Sequence, residues 1–289
     1  MNKDDLMLCV SITEKDLETL NGNYLANTKE DGDRIMAIAK DGDVVLMNRR
    51  GIPKNKQFRE VVEELNILAK EHNFIIDGEV VAENDDFNKL SSRSGTQNKF
   101  KIIELEKTIP ILYMVFDIIS LDNLDLRNKP LSERVEILRA LLGHYRAVGE
   151  SLDSNPTQSI PPFSSRIRFC EYKSITEMLE KAKAENQEGI VIKDMNSKYE
   201  GRRSKSWLKL KLKQEKVIEF SKYERNNKGL RLSDDLDNAV QMSRYDLVEK
   251  IIKEIDTKGK ISIECECLEI FDTGKMRQGV FKRIFGDLS

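Results

Sequence analysis

Residues 24–51 read YLANTKEDGDRIMAIAKDGDVVLMNRRG, and this stretch decides how the chain begins to fold. Alternating apolar and polar residues on both sides of Asp41-Gly42 predict two strands joined by a tight hairpin turn. The block Lys29–Arg34 places a lysine, an Asp-Gly pair and an arginine at the mouth of the first strand. A lysine that is held beside other cations loses its proton more readily and becomes a usable nucleophile. Alone, the block also fits an ordinary solvated turn, because these residue types are common in turns.

The composition is that of a folded protein without a strongly basic character. The chain has 289 residues, which suits one large domain or two ordinary ones, and 39% of them are hydrophobic. Its 48 basic and 50 acidic side chains give a net charge of -2. Any nucleic-acid surface must therefore be a local basic patch.

The cysteines and the N-terminal residues indicate where in the cell the protein is located. The four cysteines lack paired CxxC spacing, so we interpret them as buried small hydrophobes rather than metal ligands: Cys9, Cys170, Cys265 and Cys267. The N-terminal residues lack the basic start and apolar run of a signal peptide, and no segment has membrane-spanning length. These features predict a soluble, cytoplasmic protein, with a nuclear location left open.

Two apolar segments are predicted to be buried strands, each with an acidic residue inside it. The first covers residues 74–82 and contains Glu79, which should meet a cation or a metal because an unpartnered buried carboxylate is costly. The second covers residues 109–119 and contains Phe116 beside Asp117. An aromatic residue in such a strand is more often core than ligand platform.

Helical spacing and polar composition predict helices and loops in the other segments before residue 207. Apolar periodicity predicts helices over residues 58–72, 131–142 and 175–184. Residues 83–108 are polar, with a surface loop expected at residues 91–97, and residues 146–166 are expected to be a long loop.

Lysines alternate with leucines in the strand predicted over residues 207–213. The strand places Lys209, Lys211 and Lys213 on one face, which suits either the wet side of an edge strand or a site for phosphate. Beyond residue 213, short strands around one helix predict a small Greek-key barrel of the OB type.

Taken together, six blocks resemble those of the covalent nucleotidyltransferases, and most closely those of the ATP-dependent DNA ligases. In chain order they are Lys29–Arg34 (KxDGxR), Asn48–Gly51 (the arginine block), Asp77–Glu79 (DGE), Tyr113–Asp117 (aromatic–Asp), Glu188–Lys193 (EGxxxK) and Trp207–Lys211 (WxKxK). The sequence departs from the family at Asn27, where many members have Glu or Gln, and at Gly279, where the usual residue is proline.

The resemblance implies an α+β fold with two domains in a minimal form. Residues 1–213 would be a nucleotidyltransferase domain, an ATP-grasp-like adenylation domain of antiparallel sheets with flanking helices. Residues 214–289 would be an OB-fold barrel.

It also implies a reaction, in which Lys29 forms a lysyl-AMP intermediate with ATP. The AMP then moves to the 5′-phosphate of a nick in duplex DNA, and the 3′-hydroxyl displaces it. Mg²⁺ or Mn²⁺ would assist. The protein is expected to act as a monomer, with a partner protein possible and no membrane involved.

Roles for individual residues follow from the same resemblance. Lys209 and Lys211 would assist Lys29 in the chemical step. The residues expected to contact the nucleotide are Arg34, Arg49, Glu79, Phe116, Glu188, Lys193, Lys209 and Lys211. Glu79 and Glu188 would hold the metal. The residues expected to grip DNA are Arg202, Arg203, Lys205 and Arg283.

Three alternatives remain open on sequence grounds. An ATP-dependent RNA ligase and a GTP-using mRNA capping enzyme share the same kind of catalytic lysine. A non-catalytic OB-type nucleic-acid-binding protein is the third, against which the intact lysines and glutamates argue.

Overall fold

The hairpin expected near the start of the chain is present between β3 (Asp33–Lys40) and β4 (Asp43–Asn48). In the computed structural model Asp41 and Gly42 have φ values of 52° and 90°, the left-handed region that two-residue hairpin turns require. The preceding strand, β2 (Tyr24–Thr28), belongs to a different sheet. The turn that carries Lys29 therefore crosses from one sheet to the other.

The structure describes residues 6–83, 87–153, 166–185, 187–212, 214–267, 269–271, 273–277 and 279–286. The chain divides into two compact units, residues 1–210 and 211–289. This division is within a few residues of the predicted domain boundary at residue 213, and Lys213 itself lies outside the described residues. Among the described helices, none has the length and apolar character needed to cross a membrane.

In its described residues, the first unit combines ten strands with five α-helices. The remaining strands are β1 (Leu8–Ile12), β5 (Phe74–Ala82), β6 (Ile111–Leu121), β7 (Leu124–Asp125), β8 (Ile167–Phe169), β9 (Gly189–Asp194) and β10 (Arg203–Lys211). The helices are α1 (Arg59–Ala69), α2 (Phe87–Gly95), α3 (Lys99–Thr108), α4 (Leu131–Asp153) and α5 (Ile175–Ala184), with a 3-10 turn at Glu14–Thr19.

Two sheets organise this unit. One has the strand order β1-β10-β9-β2, and the other runs β4-β3-β5-β6-β7 with β8 also paired to β6. Most pairs are antiparallel as predicted, but β1 with β10 and β6 with β8 are parallel. The main core lies on the larger sheet, where Leu65 and Leu68 of α1 and Leu138 of α4 are buried against strand residues.

The surface loop predicted at residues 91–97 instead starts inside α2, and α3 follows it in the same polar segment, residues 83–108. The loop prediction was wrong because buried contacts hold α2 in place. Leu90 enters the main core, and Arg93, fully buried, forms an ion pair with Glu60 at 2.5 Å and donates to the carbonyl of Ile109 at 2.6 Å. The buried guanidinium of Arg93 thus ties this helical segment to α1 and to the backbone at Ile109.

The fourth helix is also longer than predicted, since it continues to Asp153 and overlaps the expected loop at residues 146–166. Pro156 is the first proline after the helix start, and a proline disfavours helix only from the residue before it. The rest of that loop, residues 154–165, lies outside the described residues.

The described residues of the second unit form short antiparallel strands and one helix, which share a separate core. In chain order they are β11 (Gln214–Phe220), β12 (Lys222–Asn226), β13 (Gly229–Ser233), β14 (Ala239–Met242), α6 (Tyr245–Lys258), β15 (Ile261–Cys267), β16 (Glu269–Ile270), β17 (Met276–Arg277) and β18 (Val280–Ile284). They form sheets β11-β15-β18, β12-β13-β14 and β16-β17. Among the described residues these pairings form three separate sheets, and the OB-type barrel stays a prediction.

The cysteines are placed as the sequence predicts. All four are free thiols, and Cys170, Cys265 and Cys267 are buried, while Cys9 is half-buried. In the part of the chain that the structure describes, no group of three or more His, Cys, Asp or Glu side chains is arranged to hold a metal ion.

Candidate active site

Lys29 lies directly after β2 and forms a close ion pair with Glu188, the residue before β9. The Lys29 Nζ to Glu188 Oε2 distance is 2.5 Å, and the two side chains are 20% and 5% exposed. The pair follows from the strand register, because β2 and β9 pair antiparallel and the Lys29 amide donates to the Gly189 carbonyl at 2.9 Å. The sequence predicted cations beside this lysine but not this carboxylate contact.

Two cavities meet at Lys29. The smaller, about 220 Å³, brings together eight of the predicted site residues: Lys29, Arg34, Arg49, Glu79, Phe116, Lys193, Arg203 and Lys209. The larger, about 460 Å³, is lined by Lys29 and Glu188 together with residues of β8 and α5. Blocks that are up to 180 residues apart in the sequence (Lys29 to Lys209) therefore surround one lysine.

Glu79 lies on β5, opposite Arg34 in the strand register, and lines the smaller cavity. The Lys29 turn comes close to this strand at Gly32. A Cβ at Gly32 would be 2.2 Å from the Val80 carbonyl oxygen and 2.8 Å from the Glu79 side chain. Only glycine fits this approach, which holds the lysine block against the strand that carries Glu79.

Burial raises the pKa of the Glu79 carboxyl from 4.5 to about 7, although the charges of Lys29 and Arg34 partly oppose this. The folded protein therefore keeps a proton that the unfolded chain releases above pH 4.5. The stability from this group is fully present below pH 4.5 and is lost as the pH rises through about 7.

We expect Glu79→Gln to remove this pH dependence. Relative to the wild type, the variant should gain up to about 3 kcal/mol in the free energy of unfolding between pH 4.5 and pH 8. Urea denaturation across that range measures the change. Glu63→Gln, at an exposed position of α1, is the control and should follow the wild type. Parallel curves for Glu79→Gln and the wild type would contradict the account.

Arg34 is held at the cavity wall by a buried network. Its guanidinium forms two hydrogen bonds to Asp77, of 3.0 and 2.6 Å, and donates to the Met7 carbonyl at 2.7 Å. Tyr199 donates to the same Asp77 carboxylate at 2.8 Å. The sequence predicted only a nucleotide contact for Arg34, and the structure adds a role in fixing the wall.

The aromatic wall of the cavity surrounds a buried lysine. The Lys193 ammonium lies 4.1 Å from the ring centroid of Phe116 and 4.2 Å from that of Trp207, and donates to the Tyr172 hydroxyl at 2.8 Å. Burial lowers the pKa of Lys193 to about 8. The resemblance implied a nucleotide contact for Lys193, and the structure places its ammonium beside the ring of Phe116, another residue expected to contact the nucleotide.

Two polar atoms of the smaller cavity are buried without a hydrogen-bond partner among the described residues, Asn27 Oδ1 and Trp207 Nε1. Asn27 is 2% exposed, and its Nδ2 donates to the Thr28 carbonyl at 2.8 Å. This bond fixes the orientation of the Asn27 amide. Its Oδ1 is therefore left as an acceptor for a ligand. Buried polar atoms without a partner are uncommon, which makes this one a candidate contact.

The predicted DNA-contacting residues lie in different places. Arg203 lines the smaller cavity and donates to the Cys9 carbonyl, so it is part of the site itself. Arg202 is exposed and pairs with Glu200 at 2.7 Å, and Lys205 is exposed on β10. Arg283 belongs to the second unit, where it pairs with Glu264.

Lys209 and Lys211 lie two residues apart on β10 and are both half-buried. Alternation along the strand places them on one face, as the sequence predicted. Lys209 lines the cavity, and Lys211 ends the strand.

Glu79 and Glu188 fit the needs of a Mg²⁺ ion. Such ions are bound through one or two carboxylates together with substrate phosphates and water, rather than by a full protein cage. Each carboxylate lines a cavity that Lys29 also lines. The donor set is therefore adequate for a metal that arrives with a nucleotide.

Comparisons with known proteins show the family to which the chain belongs. The family described as "ATP dependent DNA ligase domain" matches residues 6–211, which confirms the resemblance found in the six blocks. A DNA ligase of Saccharolobus islandicus is 26% identical over 210 residues, covering 70% of this chain and 32% of that protein. "DNA ligase 2" of Korarchaeum cryptofilum is 28% identical over 210 residues, covering 68% of this chain and 32% of that protein.

The fold is similar to that of a solved ligase. A structure of mycobacterial DNA ligase D, complexed with ATP and MES, has a TM-score of 0.56 at 18% identity and covers 99% of this chain and 97% of that one. The chain spans about a third of the length of the two curated relatives. With a match over residues 6–211, this chain belongs to the ATP-dependent DNA ligase domain family.

Proposed function

We propose that this protein is an ATP-dependent DNA ligase that seals nicks in duplex DNA through a lysyl-AMP intermediate. The observation that carries the proposal is the position of Lys29. It is paired with Glu188 at 2.5 Å, and it lies where two cavities meet, beside Glu79 and Lys209. A nucleophilic amine, an acceptor for its proton and a cation for phosphate are thus in one place.

In the first transfer, Lys29 Nζ attacks the α-phosphorus of ATP. The new P–N bond forms while the bond from that phosphorus to the bridging oxygen breaks, and pyrophosphate leaves with the electron pair. Glu188 is the carboxylate positioned to accept the proton that the amine releases. Lys209 and Lys211 stabilise the charge that develops on the phosphate oxygens.

In the second transfer, a 5′-phosphate oxygen at the nick attacks the same phosphorus, and the P–N bond to Lys29 breaks. The lysine amine regains its proton. In the third, the 3′-hydroxyl attacks the 5′-phosphate, AMP leaves, and the phosphodiester bond is complete.

Glu79 and Glu188 would hold Mg²⁺ or Mn²⁺, which neutralises phosphate charge when bound. At the other end of the cavity, Phe116, Lys193 and Asn27 would contact the base. Arg34 and Arg49 would contact the ribose or a phosphate.

The DNA would be held by cations on both parts of the chain. We assign Arg202, Arg203 and Lys205 on the first part and Arg283 on the second to the phosphate backbone, where contacts carry no sequence preference. We further propose that residues 1–213 act as an ATP-grasp-like adenylation domain and residues 214–289 as an OB-fold domain, in a protein that works as a monomer.

The direct test is sealing of a labelled duplex with a single nick, in the presence of ATP and Mg²⁺. We expect a sealed DNA product, and none with GTP in place of ATP. Sealing of a nicked RNA duplex alone would identify an RNA ligase, and covalent labelling by GTP would identify a capping-type enzyme. Binding of the nick without sealing or labelling would leave a non-catalytic binding protein.

The unpartnered oxygen of Asn27 predicts a preference for adenine. Adenine presents an amino donor where guanine presents a carbonyl acceptor, so Oδ1 favours ATP. We expect Asn27→Ala to raise the KM for ATP about tenfold with little change in kcat. Initial rates of adenylate formation with ATP, and GTP as competitor, measure this.

Asn196→Ala is the control for that experiment, because Asn196 is exposed beyond the end of β9. It should leave the KM for ATP unchanged. An unchanged KM in Asn27→Ala as well would contradict the assigned base contact.

A further inference from the structure

The outer face of α3 carries apolar side chains that the described residues leave uncovered. Phe100 is 86% exposed, the highest value among the large hydrophobic residues described, and Ile103 is 48% exposed. The two are three residues apart and so lie on one face of the helix. The opposite face, with Ile102 and Leu105, packs inward. A second apolar face on a surface helix indicates a contact with another molecule.

The charge around this face is positive. Lys99 and Lys101 flank Phe100, and both are exposed. Glu104 follows Phe100 by four residues and Lys107 follows Ile103 by four, so this side of α3 carries three exposed lysines and one exposed carboxylate. We call Lys99, Phe100, Lys101 and Ile103 the α3 surface. An aromatic ring between two cations suits a ligand with phosphates on either side of an apolar surface.

The α3 surface lies on the segment that joins β5 to β6. Asp33, at the end of the Lys29–Arg34 block, is opposite Val80 near the end of β5, and Ala82 is opposite Ile111 at the start of β6. The chain segment that contains α2 and α3 starts after β5 and returns to β6 at that same end of the sheet. The lysine block and the α3 surface are thus attached to the same end of the larger sheet.

Direct bonds tie α2 to the lysine block. Asp33 Oδ2 accepts a hydrogen bond from Ser94 Oγ at 2.6 Å, and Lys54 Nζ donates to the Ser94 carbonyl at 2.7 Å and lies 4.0 Å from Asp33. Arg93, fully buried, fixes the same helix from beneath. The connection to α3 is the short segment 96–98, and Asn98 caps α3. The position of the α3 surface is therefore set relative to Lys29.

We propose that the α3 surface is a contact for duplex DNA. Lys99 and Lys101 bind phosphates of the backbone, and Phe100, supported by Ile103, packs against the sugar and base surface of the groove between them. Charge complementarity favours DNA over a protein partner. The choice of DNA rests on the proposed function, and the site is separate from the cavity that holds the nucleotide.

Equilibrium binding of a fluorescent nicked duplex, measured by anisotropy without ATP, tests this inference. We expect Phe100→Ala to weaken binding about five- to tenfold, in line with the loss of the apolar contact that the ring would bury on the duplex. Lys99→Ala with Lys101→Ala should weaken binding further. It should also reduce the slope of log K against log salt concentration by about 2, because each lost phosphate contact contributes about 0.9.

Matched controls lie at the other end of the larger sheet. Leu124, on β7, is 67% exposed. Lys40 is exposed at the end of β3, and Lys70 is exposed shortly before the start of β5. Leu124→Ala and the double variant Lys40→Ala with Lys70→Ala should bind the duplex within twofold of the wild type. Adenylate formation should be unchanged in every variant, since none of these residues lines the nucleotide cavity.

Two results would overturn the inference. One is unchanged affinity and salt slope in both α3 variants, as a protein-binding surface would give. The other is an equal loss in the controls, which would indicate non-specific charge effects. Because the binding assay needs no chemical step, its outcome is independent of whether the protein forms an adenylate. Failure of the ligase proposal would appear separately, as a wild type that is never labelled by ATP.

Discussion

Replacement of Lys29 by alanine is expected to lower the rate of ATP-dependent nick sealing by at least about 10³-fold, because in the proposed reaction Lys29 forms the covalent bond to AMP. The same variant should still seal a nick whose 5′-phosphate already carries AMP. Only the third transfer remains for such a substrate, and that transfer uses the 3′-hydroxyl as nucleophile. Sealing of the two nicked duplexes, followed on denaturing gels, measures both effects.

Lys40→Ala is the control, since it removes an exposed lysine at the end of β3, the strand that follows the Lys29 turn. It should seal both substrates at the rate of the wild type. ATP-dependent sealing by Lys29→Ala at a rate near that of the wild type would contradict the assignment of Lys29. Loss of sealing on the pre-adenylylated nick, in a variant that remains folded, would contradict a role confined to the first two transfers.

Asp117→Ala is expected to destabilise the protein by about 3–5 kcal/mol and to lower the Tm by roughly 10 °C. Asp117 and Arg134 are both fully buried and form two hydrogen bonds of 2.8 Å. Arg134 also donates to the carbonyls of Lys129 and Ser197. Removing the carboxylate leaves a buried charge without its counter-ion. Thermal and urea denaturation measure the loss.

An exposed pair of the same chemistry provides the control. Arg127 and Asp125 form hydrogen bonds of 2.8 and 2.9 Å but are about half exposed, so Asp125→Ala should cost no more than about 1 kcal/mol. The double change Asp117→Leu with Arg134→Met should recover much of the stability lost in Asp117→Ala, because it removes both charges. Equal losses in Asp117→Ala and Asp125→Ala would contradict the account.

The sequence predicted best where one local rule determined the structure. Asp41-Gly42 requires a left-handed turn and forms one. The apolar run around Glu79 can only be a buried strand, and β5 begins and ends at the predicted residues 74–82. The six blocks converge on Lys29 as expected, because each block lies at the end or on the inner face of a strand.

The predictions were wrong where long-range contacts overrode local composition. The polar segment that contains Arg93 suggests a loop, but its guanidinium meets Glu60, 33 residues away, and the segment is helical. The role of Asp117 could not be predicted either, since its partner Arg134 is on another element. Neither the Glu188 contact of Lys29 nor the cations around the Phe116 ring has a signal in the local sequence.

The central claim is that Lys29 carries the AMP, and peptide mapping by mass spectrometry tests it most directly. The protein is first treated with pyrophosphate to remove any AMP already bound, and is then incubated with ATP and Mg²⁺. The account predicts one added AMP, on the peptide that contains Lys29. Addition at Lys193 instead, whose pKa burial lowers to about 8, or no addition at all, would contradict it.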